Sequence, residues 1–112
     1  MRPEILPGNT KKFIVGCGAL YISTNKNEGK LYEVFQNGSK LGGCRANQEG
    51  VSRLVSLCLR KGIDPEEIID QLSLIKCPVC SSAKAKLETQ EQKRNFPTSC
   101  PDAVAKMLKQ EL

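Results

Sequence analysis

The chain has 112 residues and a formal net charge of +5, with six cysteines and no histidine. A chain of this length fits one domain with a modest core, and three Phe, two Tyr and no Trp leave that core in need of a metal or disulfide staple. No apolar run is long enough to span a membrane, and the N-terminus lacks the apolar stretch of a signal peptide. We therefore expect a cytoplasmic protein without membrane contact, in which spaced cysteines indicate metal ligands or redox groups before structural disulfides.

The first third of the chain predicts a small antiparallel meander. Residues 1–9 hold two prolines and a glycine and predict an extended N-terminal arm. Residues 11–23 are apolar and β-prone, and Gly16-Cys17-Gly18 divides them into two short strands joined by a turn or bulge. A third strand follows at 31–36 and ends at the turn signal Asn37-Gly38.

The remaining chain predicts three helices. Apolar residues at helical spacing place one face of the first helix in the core: Val51, Leu54, Val55, Cys58 and Leu59. Gly62 ends that helix, and Asp64 followed by Pro65 begins the next. The second helix is expected to bury Ile68, Leu72 and Ile75.

The third predicted helix begins near Cys100, where Ser99 is the capping residue. It is expected to bury Val104, Met107, Leu108 and Leu112. Before it, residues 81–97 are polar and charged and predict a flexible insertion. The sequence thus predicts one α+β domain over 1–112, with about three to four strands followed by three helices.

Five of the cysteines fall at element ends or turns, where a chain can direct side chains to one point: Cys17, Cys44, Cys77, Cys80 and Cys100. Cys58 lies mid-helix on an apolar face and is expected to be a small core residue. Three interpretations of the five are open. They form a structural zinc site of four thiolates, they are buried structural thiols, or Cys77 and Cys80 form a redox dithiol.

The positive charge leaves nucleic-acid binding as a further alternative. The basic residues are scattered along the sequence, and no basic run is interleaved with aromatic residues. A solvated basic surface is therefore the simpler interpretation of the charge.

The chain resembles the TSCPD domain over nearly its whole length. Residues 98–102 spell TSCPD, the motif from which the family takes its name. Upstream segments also match: Arg2-Pro3-Glu4 at the start, Cys17-Gly18, Gly42-Gly43-Cys44, Asp64-Pro65-Glu66-Glu67 and Ile75-Lys76-Cys77-Pro78. The order and spacing of these segments make the resemblance more specific than a lone pentapeptide.

In that family the domain closes adenosylcobalamin-dependent (class II) ribonucleotide reductases and also occurs as short stand-alone proteins. The cysteines that match the family pattern are Cys17, Cys44, Cys77 and Cys100, so the resemblance implies these as zinc ligands, with Cys80 as the substitute. It also implies a ribonucleotide reductase catalytic chain as partner and a role in deoxyribonucleotide and DNA synthesis.

The family label does not make this chain a ribonucleoside-diphosphate reductase. Radical chemistry on a ribonucleotide needs an enclosed barrel and a cobalamin pocket, and 112 residues cannot build both. We expect an accessory module that is not catalytic alone. The alternatives are a thiol–disulfide relay through Cys77 and Cys80 that delivers electrons to a reductase, and a nucleic-acid-binding zinc module.

Overall fold

The computed structural model describes residues 2–38 and 42–112. Its fold is α+β, as predicted: a three-stranded antiparallel sheet followed by helices. The elements in chain order are β1 (Gly8–Val15), β2 (Gly18–Asn27), β3 (Lys30–Asn37), α1 (Gly42–Arg60), α2 (Pro65–Leu72), α3 (Pro78–Ala85), α4 (Gln90–Asn95) and α5 (Cys100–Gln110).

The sheet has the strand order β1-β2-β3, so β1 and β3 are its edges. Gly16 and Cys17 form the turn from β1 to β2, and Glu28 with Gly29, both at positive φ, form the turn from β2 to β3. One face of the sheet packs on α5 and forms the core, with these side chains buried: Phe13, Val15, Leu20, Ile22, Val34, Val104, Met107 and Leu108. The opposite face carries the exposed side chains Ile14, Tyr21 and Phe35.

Helix α1 lies along the edge of β3. The Ser56 hydroxyl accepts a hydrogen bond from the Val34 N–H at 3.0 Å and donates one to the Val34 carbonyl at 3.2 Å. One turn earlier, Ser52 and the Gln48 carbonyl accept from the Gln36 side-chain amide, each at 3.1 Å. An edge strand has unpaired backbone groups that can pair with a strand of another chain. Helix α1 covers this edge and prevents such pairing.

The prediction of three helices was too low, because residues 78–95 contain two further short helices. Pro78 occupies the first turn of α3, and Thr89 and Gln92 form a capping box at the start of α4. No side chain of α4 is buried and α3 buries only Cys80, so local capping rather than core burial shapes this segment. Flexibility over 81–97 stays a prediction.

Three side chains predicted to be buried are exposed. Leu54 is 65% exposed on the flank of α1. Helix α2 ends at Leu72, so Ile75 lies outside it. Helix α5 ends at Gln110, so Leu112 also lies outside its helix. Other predictions are confirmed: Asp64 caps α2, Ser99 caps α5, and Gly62 follows α1 at φ 83°.

Within residues 2–38 and 42–112, no helix combines the length and the apolar character needed to cross a membrane.

Candidate metal centre

The segment 98–102 holds the start of α5 against the start of α3. The Cys77 N–H donates to the Thr98 carbonyl at 2.8 Å, and the Thr98 hydroxyl donates to the Ile75 carbonyl at 2.8 Å. Cys77 is the residue before α3, and Cys100 is the first residue of α5. Two cysteines separated by 23 positions are thereby held in adjacent backbone segments.

Asp102 completes this connection from inside the protein. Its side chain is buried, and its carboxylate accepts the Leu74 N–H at 2.8 Å and the Thr98 N–H at 2.9 Å. Leu74 has a φ of 64°, a left-handed conformation that is unfavourable for a leucine. The same residue donates its N–H to Asp102. Ser99 caps α5 by accepting the Asp102 N–H at 3.1 Å. The motif is thus a local capping device and a bridge between two cysteine-bearing segments.

The turn that carries Cys17 lies directly on α3. The Gly16 N–H donates to the Cys80 sulfur at 3.3 Å. A Cβ at Gly16 would lie 2.6 Å from backbone atoms of Val79 and Cys80, so no other residue fits without backbone movement. This close approach explains why a glycine precedes Cys17.

Cys44 lies in the first turn of α1, and Gln48, four residues later, lies on the same side of the helix. The Gln48 amide donates to the Cys100 sulfur at 3.5 Å, and only 6% of Gln48 is exposed. Sequence analysis missed this residue. Its signal was the four-residue spacing from Cys44, which places both side chains toward the same neighbour.

The thiols perturb one another's ionisation. The pKa of Cys80 is raised to about 11, chiefly by burial; the Gly16 hydrogen bond opposes the increase, and the neighbouring Cys77 and Cys100 contribute to it. Burial also raises the pKa of Cys100, the Gln48 amide opposes this, and Cys17, Cys44 and Cys77 add to the increase. The start of α5 therefore lies within electrostatic reach of Cys17, Cys44 and Cys77.

No cationic side chain from the described part of the chain lowers the pKa of Cys80 or Cys100. Several thiolates at this position would repel one another without a positive charge. A divalent cation supplies that charge and deprotonates the thiols that it binds. Thiolate sulfur is a ligand that Zn²⁺ prefers, so the donor set fits zinc in its chemistry.

The geometry of the five sulfurs is not that of a finished site. Across residues 2–38 and 42–112, no three Cys, Asp or Glu side chains are arranged to hold a metal ion. Cys58 is separate from the others: it packs against the apolar core from the middle of α1, as predicted. The segments that carry Cys17, Cys77, Cys80 and Cys100 are thus joined by hydrogen bonds, while their side chains are not arranged as a metal site.

The fold is that of a small α+β domain in which the β1–β2 turn and the starts of α1, α3 and α5 carry cysteines. The chain belongs to the TSCPD domain family, whose model matches residues 2–112. No curated protein and no solved structure matches it significantly.

Proposed function

We propose that this protein is a zinc-binding accessory module of deoxyribonucleotide synthesis that docks on the catalytic chain of an adenosylcobalamin-dependent ribonucleotide reductase. The proposed zinc ligands are Cys17, Cys44, Cys77 and Cys100, with Cys80 as the substitute. Membership of the TSCPD family supports the reductase association. The observation that carries the zinc assignment is that hydrogen bonds join the Cys77 and Cys100 segments and hold the Cys17 turn on α3. Cys17, Cys44 and Cys77 also contribute to the raised pKa of Cys100.

Zinc in such a site is structural. A closed set of four thiolates leaves no open coordination position, so the metal supplies a crosslink and no reaction step. The chain's own residues position the ligands: Thr98 and Asp102 align the starts of α3 and α5, and Gly16 brings the β1–β2 turn onto α3. The proposal requires the sulfur side chains to reorient when the metal binds.

The zinc assignment is tested by metal content after purification without added metal. We expect about one zinc per chain, measured by elemental analysis, with the ligand thiols protected from a thiol reagent. Alanine variants at each of Cys17, Cys44, Cys77 and Cys100 should lose zinc, while Cys58→Ala, which changes only a core thiol, should retain it. Loss of zinc in Cys80→Ala would show that Cys80 is a ligand, and retention of zinc would show that it is not. Metal-free protein with freely reactive thiols would contradict the assignment.

Docking is tested separately, with a purified class II reductase that lacks its own TSCPD domain. We expect a complex by size-exclusion chromatography and a change in reductase turnover when the zinc-loaded protein is added. If no complex forms under any nucleotide condition, the docking proposal is wrong whether or not zinc is bound.

The relay alternative has less support. A dithiol relay must exchange with an external disulfide, so both sulfurs need access to solvent. Cys80 is only 2% exposed, and its sulfur is covered by the Gly16 turn. If Cys77→Ser with Cys80→Ser abolished reductant coupling and left the fold intact, the relay would replace the zinc proposal.

A further inference from the structure

A groove of about 730 Å³ runs between α1 and the open face of β3. Phe35 and Asn37 line it from the strand, and Leu54 and Leu57 line it from the helix. The exposed fractions are 51% for Phe35, 65% for Leu54 and 45% for Leu57. Apolar side chains thus face solvent in a concave surface between α1 and β3.

Three arginines line the helix side of this groove: Arg45, Arg53 and Arg60. Helical rise separates consecutive members of the set by about 12 Å and about 10 Å, so positive charge extends roughly 22 Å along the groove. The two carboxylates in the lining already contact arginine. Glu33 binds Arg2 at 2.7 Å, and Glu49 lies 3.7 Å from Arg53. The groove therefore favours a polyanion by charge.

The groove opens onto a flat surface with two aromatic rings. Tyr21 pairs with Asn37 and Phe35 pairs with Ser23, so Tyr21 and Phe35 are diagonal neighbours on one face of the sheet, about 7–8 Å apart. Tyr21 is 45% exposed, and Lys12 lies opposite it on β1. Aromatic rings on an open sheet, beside positive charge, are the elements of a base-stacking platform.

We propose that this groove and the adjoining sheet face bind single-stranded nucleic acid, with bases stacked on Tyr21 and Phe35 and phosphates contacting Arg53 and Arg60. A duplex keeps its bases stacked inside and cannot use the two rings. An acidic peptide can use the arginines but gains no base stacking. The sequence did not reveal the surface, because its aromatic and basic residues come from β1, β2, β3 and the far half of α1.

The phosphate contacts are tested with the full-length protein and fluorescein-labelled oligonucleotides dT15 and rU15, by fluorescence anisotropy between 50 and 200 mM salt. We expect Arg53→Ala with Arg60→Ala to weaken binding at least tenfold at low salt and to reduce the salt slope by about 1.4, which is the loss of two phosphate contacts. The matched control is Lys86→Ala with Lys109→Ala, which removes the same charge from exposed positions outside the groove. It should change the affinity less than twofold.

The stacking contacts are tested with Phe35→Leu and Tyr21→Leu, each expected to weaken binding about fivefold or more. Phe35→Tyr keeps the ring and should retain the affinity. All six side chains exchanged in the two sets of tests are exposed, and circular dichroism verifies that each variant is folded. The proposal is overturned if dT15 and rU15 fail to bind at 50 mM salt, if groove and control variants bind alike, or if a 15-bp duplex or a poly-glutamate peptide binds as tightly.

Discussion

At the scale of single residues, Asp102 shows how a helix-start residue acquires a tertiary role. Asp102 lies in the first turn of α5, where a carboxylate interacts favourably with the positive end of the helix dipole. The structure adds two backbone N–H donors, from Leu74 and Thr98, which lie on either side of the cysteine-bearing α3. The Asp102 side chain itself is buried, so its two oxygens are satisfied by protein donors instead of water.

We predict that Asp102→Asn lowers the free energy of unfolding by about 1–3 kcal/mol, since an amide offers one acceptor where the carboxylate offers two and directs an N–H₂ at a buried N–H. Urea denaturation measures this loss. Lys106→Met is the control, because Lys106 lies 3.8 Å from the same carboxylate and its removal should cost at most about 0.5 kcal/mol. Equal losses in the two variants would assign the effect to the ion pair instead.

Arg2 and Glu33 form a second contact of this scale, between the N-terminal arm and β3. Hydrogen bonding to Arg2 lowers the pKa of Glu33, burial opposes this, and Asn25 adds a further donor at 2.8 Å. Because the folded-state pKa lies below the unfolded value of about 4.3, the pair contributes stability above that pH. This contribution is lost as the pH falls through the folded-state pKa.

Arg2→Met should therefore destabilise the protein at pH 7 and have a much smaller effect at a pH below the folded-state pKa of Glu33, where the carboxyl is protonated with or without its partner. Thermal unfolding across this pH range measures the difference, with Lys30→Met as a control that removes one exposed positive charge elsewhere. A loss that is the same at both pH values would show that the Arg2 side chain acts through packing alone.

At the scale of elements, periodicity predicted the three strands and the helices α1, α2 and α5. On α1 it correctly identified Val55 and Leu59 as buried, with Val51 and Cys58 packed against the core, and it was wrong for Leu54. The helix covers the edge of β3, whose unpaired backbone groups need hydrogen-bonding partners. Its buried side accordingly includes the polar residues Gln48, Ser52 and Ser56. An apolar pattern cannot identify such a side, and for this reason Leu54 was wrongly placed in the core.

Helices α3 and α4 were missed for a different reason. Their existence rests on Pro78 at the start of one and the Thr89–Gln92 capping box of the other, while their side chains remain largely outside the core. A pattern that searches for buried apolar faces finds nothing in such a segment. The capping box would have located α4, whereas Cys77 before α3 makes no side-chain capping hydrogen bond and leaves Pro78 as the signal.

The hydrogen bonds between Ser56 and the β3 edge give a prediction at this scale. Ser56→Ala leaves the buried N–H and carbonyl of Val34 without partners and should cost about 1–3 kcal/mol in the free energy of unfolding. Ser52→Ala is the matched control one turn away, and it should cost less than about 1 kcal/mol because the Gln36 amide keeps the Gln48 carbonyl. Chemical denaturation compares the two, and hydrogen exchange at Val34 should accelerate only in Ser56→Ala. Equal stability losses would mean that the hydroxyl bonds to Val34 add nothing.

At the scale of the whole molecule, the sequence could identify which cysteines stand at element ends, because turn and cap signals are local. It could not identify the partners that position them. The contacts Gln48–Cys100, Gly16–Cys80 and Thr98–Cys77 join residues that are distant in the chain, and no local pattern encodes them. Family resemblance supplied the quartet of candidate ligands, while the supporting residues needed the structure.

The same long-range organisation predicts how the molecule responds to loss of metal. The sheet, α2 and α5 share an apolar core that includes Leu20, Ile22, Val34 and Leu108, so they have packing of their own. Residues 78–95 bury only Cys80, whose sulfur accepts a hydrogen bond from the Gly16 N–H. If zinc binds as proposed, a strong chelator should release this segment first.

Hydrogen exchange followed by mass spectrometry, with and without chelator, tests this order of events. Protection over 78–95 should fall at least tenfold, while β2, β3 and α5 keep theirs, because local opening requires less free energy than global unfolding. The Cys58→Ala variant should respond as the unaltered protein does, since its thiol belongs to the core. Loss of protection throughout the chain would instead mean that the metal is needed for the whole fold. If the chelator leaves the exchange pattern of zinc-loaded protein unchanged, α3 and α4 are held by packing that the cysteines do not provide.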